Sequence, residues 1–252
     1  MNKVREVWSR GGQAVGGWLQ LSGTLGAEAL AGCGYDALVI DLQHSGTDCS
    51  DAAAMMLAIE HGGCEPFVRV RWNNPDEIMK LLDLGAYGII APMIETGEEA
   101  AALASAVHYP PRGARSFGPR RPLMRYGLSY FGRASDTIVS MAMVETERGI
   151  ANLDDILAID GLDGVFIGPA DLSVALGGPP RPDSDEPRVV AAIATIRERT
   201  HAAGKRAGIF CGSASFGRAK LREGFDLVTL TPDLAMLTAA ARAAVATVRE
   251  GL

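Results

Sequence analysis

The chain has 252 residues, 48% of them hydrophobic and 21% charged, with a formal net charge of -6. That length suits one (β/α)8 barrel or two small domains, and the apolar share is ample for a large core. The negative charge, without any long basic run, argues against a nucleic-acid partner and against an anionic membrane surface. No apolar stretch reaches the length of a membrane span, and the charged start, Met1 to Glu6, is followed by no apolar h-region, so no signal peptide is expected. Cys33, Cys49, Cys64 and Cys211 form no C-x-x-C pair. With at least three of them expected in helices or strands, they read as reduced, buried thiols of a cytoplasmic protein.

Along the chain, short apolar β-branched runs alternate with longer Ala/Leu-rich amphipathic runs. Strands are expected at 15–21, 37–40, 67–70, 88–91, 139–144, 165–167, 207–210 and 227–230. Helices are expected to start near Thr24, Asp51, Pro75, Thr96, Gly149, Asp185, Ser213 and Thr231. Near-continuous apolar strands alternating with helices mean a parallel sheet covered on its outer face. Eight such units in this length predict a closed (β/α)8 TIM barrel, one domain over residues 1–252. Local signals agree. Asn74-Pro75-Asp76-Glu77 offers an N-cap, a proline at the first helical position and first-turn acids, and Thr231-Pro232-Asp233 repeats the device. Gly62-Gly63, Gly85, Gly204 and Gly224 fall at helix ends, where a left-handed cap is wanted. Residues 108–135 and 177–187 break the rhythm and read as long irregular loops of functional or interfacial use.

In a parallel α/β barrel the C-terminal ends of successive strands share one face. Glu145 ends the fifth strand, and Asp171 opens the helix after the sixth, within Gly164-Val165-Phe166-Ile167-Gly168-Pro169-Ala170-Asp171. Two acids at neighbouring strand ends would point into one pocket, and such oxygen ligands suit a hard divalent cation. His44 follows the second strand on the same face, a placement fit for acid/base chemistry or for a plain loop histidine. His61, His108 and His201 read as surface or capping residues. Arg69 and Arg71 lie in an otherwise apolar third strand, on one side of the pleat. A charge there needs an anion: a substrate oxyanion, or a structural partner such as Glu65 or Asp41. The only lysines are Lys3, Lys80, Lys205 and Lys220, and none is expected inside the barrel at a strand's C-terminal end. A Schiff-base mechanism has no candidate, and carbanion chemistry here would need a metal as electron sink.

Several stretches resemble the metal-dependent class II pyruvate aldolases of the HpcH/HpaI family: Gly17-Trp18-Leu19, Asp36 to His44, Pro66 to Arg69, Ile78 to Ala91, Pro110 to Gly113, Val144-Glu145-Thr146 and Gly161 to Ser173. The loop Arg115 to Arg121 is similar to the hydroxy-ketoacid (hydroxypyruvate) aldolase branch. The resemblance implies a (β/α)8 barrel, often hexameric as a trimer of dimers, with a swapped last helix. It implies Glu145 and Asp171 as ligands of Mg²⁺, Mn²⁺ or Co²⁺, His44 as catalytic base and Arg69 as transition-state stabiliser. Asp83 matches an acid that raises the histidine's basicity, but its place at a helix's C-terminal end lets it meet His44 only from a neighbouring subunit. Asp41, in the same stretch as His44, joins the catalytic candidates. The 2-oxo acid and aldehyde would be held by Arg69, Gly168, the Ala170 backbone amide and Asp171. Trp18, Phe210 and Ser116 of the arginine loop would shape the rest. The family often has a polar residue where this chain has Met143. Two rivals remain: a citrate-lyase-β-like CoA-thioester lyase, which would need the Arg115 to Arg125 cluster for its CoA tail, and a non-catalytic oligomeric scaffold or sensor.

Overall fold

A computed structural model describes residues 2–250. Eight parallel strands close in sequence order into a barrel: β1 (Ala14–Leu19), β2 (Ala37–Asp41), β3 (Glu65–Arg69), β4 (Gly88–Ala91), β5 (Val139–Val144), β6 (Gly164–Ile167), β7 (Arg206–Phe210) and β8 (Leu227–Pro232). The helices are α1 (Lys3–Ser9), α2 (Thr24–Ala31), α3 (Cys49–His61), α4 (Pro75–Leu84), α5 (Gly97–Val107), α6 (Arg120–Tyr126), α7 (Tyr130–Thr137), α8 (Glu147–Ala151), α9 (Leu153–Leu157), α10 (Pro169–Ala175), α11 (Pro187–Ala202), α12 (Ala214–Arg222) and α13 (Asp233–Arg249).

The strands look continuously apolar because both of their faces are buried. Side chains alternate between the barrel interior and the layer under the helices. In β2, Ala37 and Val39 point inward while Leu38 and Ile40 meet the helices; in β5, Val139, Met141 and Met143 point inward while Ala142 and Val144 pack outward. The interior is filled with side chains, as expected of an eight-stranded barrel. Phe67 and Phe166 lie at its centre, and its base is plugged by Val4 and Trp8 of α1. Gly88 of β4 carries no side chain because the Phe67 ring lies where a Cβ would stand.

α1 has no counterpart in the sequence reading. It is one short amphipathic turn pair, too brief for a periodicity signal, and it is held by tertiary bonds. The Asn2 side chain caps its N-terminus and also donates to Tyr87 O and Thr137 O, and Trp8 Nε1 donates to Asp226 O at 2.8 Å. Residues 108–135 are also more regular than expected, because they fold into α6 and α7. These are anchored by Tyr109 and Tyr130 in a small cluster of their own, whose apolar positions are spread too thinly to read as helices. Residues 177–186 are irregular as expected.

Some local expectations fail for identifiable reasons. Thr231 does not cap a helix: it lies within β8, next to its last residue, and donates its hydroxyl to Gly212 O at 2.7 Å, while Asp233, the first residue of α13, accepts the Leu234 N–H at 2.8 Å. Of the cysteines only Cys49 lies in a helix; Cys33, Cys64 and Cys211 sit in connections, all four as free thiols. His108 is buried rather than superficial, bridging Ser135 Oγ at 3.0 Å and Gly161 O at 2.7 Å. Gly63, Gly85, Gly204 and Gly224 take the left-handed conformation at helix ends, whereas Gly62 does not. No helix among the described residues is long and apolar enough to cross a membrane.

Candidate active site

At the C-terminal mouth of the barrel lies a cavity of about 210 Å³, with a wall of His44, Arg69, Glu145, Asp171, Gly168 and Ala170. Trp18, Gln20, Met143, Pro169, Phe210 and Pro232 complete it. The volume suits a molecule of a few heavy atoms. Each polar group reaches it from the end of a different strand, as in other barrels of this architecture.

Arg69 is the last residue of β3, pointing inward and pairing in register with Asp41 of β2. Its Nε and Nη2 donate to the two Asp41 oxygens at 2.9 and 2.6 Å, a bidentate fork inside the barrel. Asp41 is fully buried. It also accepts from Trp18 Nε1 at 3.3 Å, Gln20 Nε2 at 3.4 Å and the backbone N–H groups of Gln43 and His44 at 3.1 and 3.3 Å. Burial alone would raise its pKa, but the Arg69 hydrogen bonds and charge, with the Trp18 and His44 donors, hold it below the ordinary carboxylate value. Of the two structural partners open to Arg69, the register selects Asp41. Glu65, at the opposite end of β3, accepts from the Lys3 N–H instead. Asp41 therefore anchors both the guanidinium and the turn that carries His44. No protein group among the described residues holds Arg69 Nη1, and the guanidinium lies 4.9 Å from the Trp18 ring centroid. Arg71 does not share this environment. It lies beyond the end of β3, on the surface, and bonds Glu77 at 2.6 Å.

Glu145 follows β5 and is 2% exposed. One oxygen, Oε1, accepts the Met93 backbone N–H at 3.0 Å. Met93 sits in the left-handed region at φ 56°, uncommon for a non-glycine residue, and that conformation aims its N–H at the carboxylate. The other oxygen, Oε2, is buried with no hydrogen-bond partner. It lies against Gly168, where any Cβ would run into it, so glycine is required at that position for the carboxylate to lie as it does. Burial pushes the Glu145 pKa up to about 7 against the opposing Met93 bond, with the Asp171 charge raising it further and Arg69 lowering it. Asp171, in the first turn of α10, lines the same cavity.

A buried carboxylate oxygen without a partner, beside a second carboxylate, is costly unless a cation or proton meets it. The pair fits a hard divalent ion whose remaining positions go to water and substrate. Among the described residues no group of three His, Cys, Asp or Glu side chains gathers into a closed cage. None of the four lysines lines the cavity. Lys205 donates to Ile159 O and Leu162 O, Lys220 pairs with Glu223, Lys3 reaches Tyr35 O, and Lys80 lies in α4.

Asp83 and Ser116 are not brought to this cavity. Asp83 lies in the last turn of α4, at the base of the barrel, and accepts from Arg115 Nη2 at 2.8 Å. Ser116 follows that arginine, its backbone N–H beside Met79 Sδ. Gln20 and Met93 are the wall and supporting residues that sequence reasoning missed. A lone glutamine after an apolar run and a methionine in a turn carry no motif; the only hint was the strand end each occupies.

The family model for HpcH/HpaI aldolase/citrate lyase matches residues 15–240. The chain is 62% identical over 249 residues, 99% of each sequence, to a hydroxypyruvate/pyruvate aldolase from Rhizorhabdus wittichii. It is 35% identical over 245 residues, 96% of this chain and 92% of the relative, to a 4-hydroxy-2-oxo-heptane-1,7-dioate aldolase from Salmonella heidelberg. A crystal structure of an HpcH/HpaI aldolase/citrate lyase family protein from Burkholderia cenocepacia superposes with a TM-score of 0.89 at 32% identity, covering 99% of this chain and 100% of that one.

Proposed function

This chain belongs to the HpcH/HpaI aldolase/citrate lyase family, and on that premise we propose that its barrel-mouth cavity carries out the chemistry of a hydroxypyruvate/pyruvate aldolase. It is a class II pyruvate aldolase, a carbon–carbon lyase that joins the enolate of pyruvate or hydroxypyruvate to an aldehyde and cleaves 4-hydroxy-2-oxo acids in reverse. The observation that carries the reading is the buried, unpartnered Glu145 Oε2, which lies against Gly168 in the wall of the cavity that Asp171 and Arg69 also line.

The family is metal-dependent, and Glu145 and Asp171 are the residues that would hold a divalent cation, Mg²⁺, Mn²⁺ or Co²⁺. When bound, it supplies Lewis-acid polarisation of the 2-oxo group. The protein's own groups do the rest. The backbone amides of Ala170 and Asp171, at the open N-terminus of α10, hold the substrate carboxylate beside Gly168. Arg69, locked by Asp41, offers Nη1 to the oxygen on which charge develops as the enolate forms. In cleavage, His44 takes the proton of the C4 hydroxyl as the C3–C4 bond breaks, releasing the aldehyde and leaving the enolate to be protonated at C3. In addition the steps reverse. Trp18 and Phe210, in edge-to-face contact at 5.2 Å, wall the aldehyde side with Met143.

Asp83 and Ser116 could reach a cavity only from a second copy of the chain, and the reading is the homo-oligomer that the family resemblance implies, a hexamer built as a trimer of dimers. The uncovered apolar surface agrees: Phe117, Met124, Leu128 and Phe131 near the base, and Leu234, Leu237, Val245 and Val248 along α13, are exposed. That α13 buries only Asp233 within its own chain suits a helix exchanged between subunits.

The CoA-lyase rival loses its main support. Arg115 is buried against Asp83 and Tyr130, and Arg121 and Arg125 both bond Glu60, at 2.5 and 2.6 Å, so these cations serve internal pairs. The deciding experiment is cleavage of a 4-hydroxy-2-oxo acid before and after chelation. Activity should vanish with the metal and return with added Mg²⁺, Mn²⁺ or Co²⁺; full activity in metal-free protein would overturn the reading.

A further inference from the structure

Five polar side chains reach the cavity, and the proposed reaction uses four of them: His44, Arg69, Glu145 and Asp171. The fifth, Gln20, has no assigned task. It stands just beyond β1, and its position is built. Its backbone N–H donates to Asp233 Oδ1 at 2.7 Å, the next residue's N–H reaches the same carboxylate at 3.2 Å, and Asp233 is itself the first residue of α13. The side chain thus emerges from a fixed point.

Its amide is held only loosely. Nε2 lies 3.4 Å from Asp41 Oδ2, an oxygen already bonded by Arg69 Nη2 at 2.6 Å and Trp18 Nε1 at 3.3 Å. A third donor on one oxygen makes the weakest of the three bonds. It leaves the amide carbonyl and the second N–H for another partner. Met143, Phe210 and Pro232 offer no hydrogen bond, and the other polar groups are ionic or committed to protons. A carboxamide both donates and accepts without charge and, unlike His44, has no part in the proposed proton transfer, which matches a hydroxyl.

We infer, on the aldolase reading above, that Gln20 is a specificity-determining residue that recognises a neutral hydroxyl on the substrate. Two hydroxyls fit: the one on C3 of hydroxypyruvate and the one on C2 of a hydroxyaldehyde acceptor. Because Gln20 returns to Asp41 when no hydroxyl is present, no polar group is stranded by the unsubstituted substrate. Discrimination is therefore moderate, roughly 10- to 100-fold, below that of sites whose polar groups are stranded by an analogue lacking the hydroxyl.

The test uses purified, metal-loaded enzyme and four pairings: pyruvate or hydroxypyruvate, each with acetaldehyde or glycolaldehyde. kcat/KM is measured for wild type, Gln20→Leu and Gln20→Met, the second preserving length in case the first disturbs the fold. The expected result is a fall of roughly 10-fold or more in one preference ratio, hydroxypyruvate over pyruvate or glycolaldehyde over acetaldehyde, and the ratio that falls identifies the hydroxyl. Equal loss across all four pairings, or no change in either ratio, overturns the inference while leaving the aldolase reading intact. Wild-type protein inactive with all four pairings would instead remove that reading and this inference with it.

Discussion

Asp41→Ala would leave the Arg69 guanidinium buried without its counter-charge. Arg69 is only 7% exposed and Asp41 is fully buried, so water cannot take over the lost bonds cheaply. Removing one partner of a buried pair costs about 3–5 kcal/mol, because the remaining charge keeps its desolvation penalty. The Trp18, Gln43 and His44 donors that Asp41 also satisfies would add to that. For a domain of this size 1 kcal/mol corresponds to roughly 2–4 °C in Tm, so the variant should melt roughly 6–20 °C below wild type. Arg69→Met added to Asp41→Ala replaces the pair with apolar volume and should recover most of the loss. Urea midpoints of wild type and of the single and double variants, at constant m, read this directly. A single variant within about 1 kcal/mol of wild type, or a double variant no more stable than the single, would refute the claim that Asp41 exists to hold a buried cation.

Arg69→Ala should lower kcat by about 10²-fold or more, the usual cost of a transition-state oxyanion donor, and a near-wild-type rate would reduce Arg69 to its ion pair. Gly168→Ala pushes a methyl into Glu145 Oε2 and should weaken Mn²⁺ binding by calorimetry roughly 10- to 100-fold; unchanged affinity would mean that Oε2 takes no part in holding the ion. Burial lowers the His108 pKa, against the opposing Gly161 bond. The unfolded chain therefore takes up a proton on this residue first as pH falls. Its contribution to stability is complete above about pH 6.5, the unfolded value, and is lost below it. The gap in urea midpoint between wild type and His108→Gln should thus narrow from pH 7.5 to 5.5, and a pH-independent gap would contradict it.

Much of the barrel could be read directly from residue types. Two-sided burial makes each strand apolar throughout, and helices must cover it, so eight apolar runs separated by amphipathic ones have few other ways to fold. The carboxylates and His44 could be located because strand ends in such a barrel converge, whatever their exact register. Asp83 and Ser116 show where that logic stops. A helix end and a loop have no fixed relation to the barrel mouth, and the chain's own packing turns both toward Arg115 and α4.

Residue pattern by itself therefore determined the architecture, the barrel face on which the polar side chains converge and the acids that line it, because periodicity and chain order carry that information. Tertiary structure alone decided that Arg69 pairs with Asp41 rather than Glu65, that Met93 turns left-handed to bond Glu145, that Gln20 enters the wall and that α1 plugs the base. Each of those depends on which atoms distant segments bring within about 3 Å of one another, the reach of a hydrogen bond. That distance is set by strand register and closure of the barrel, and no local stretch of sequence encodes it.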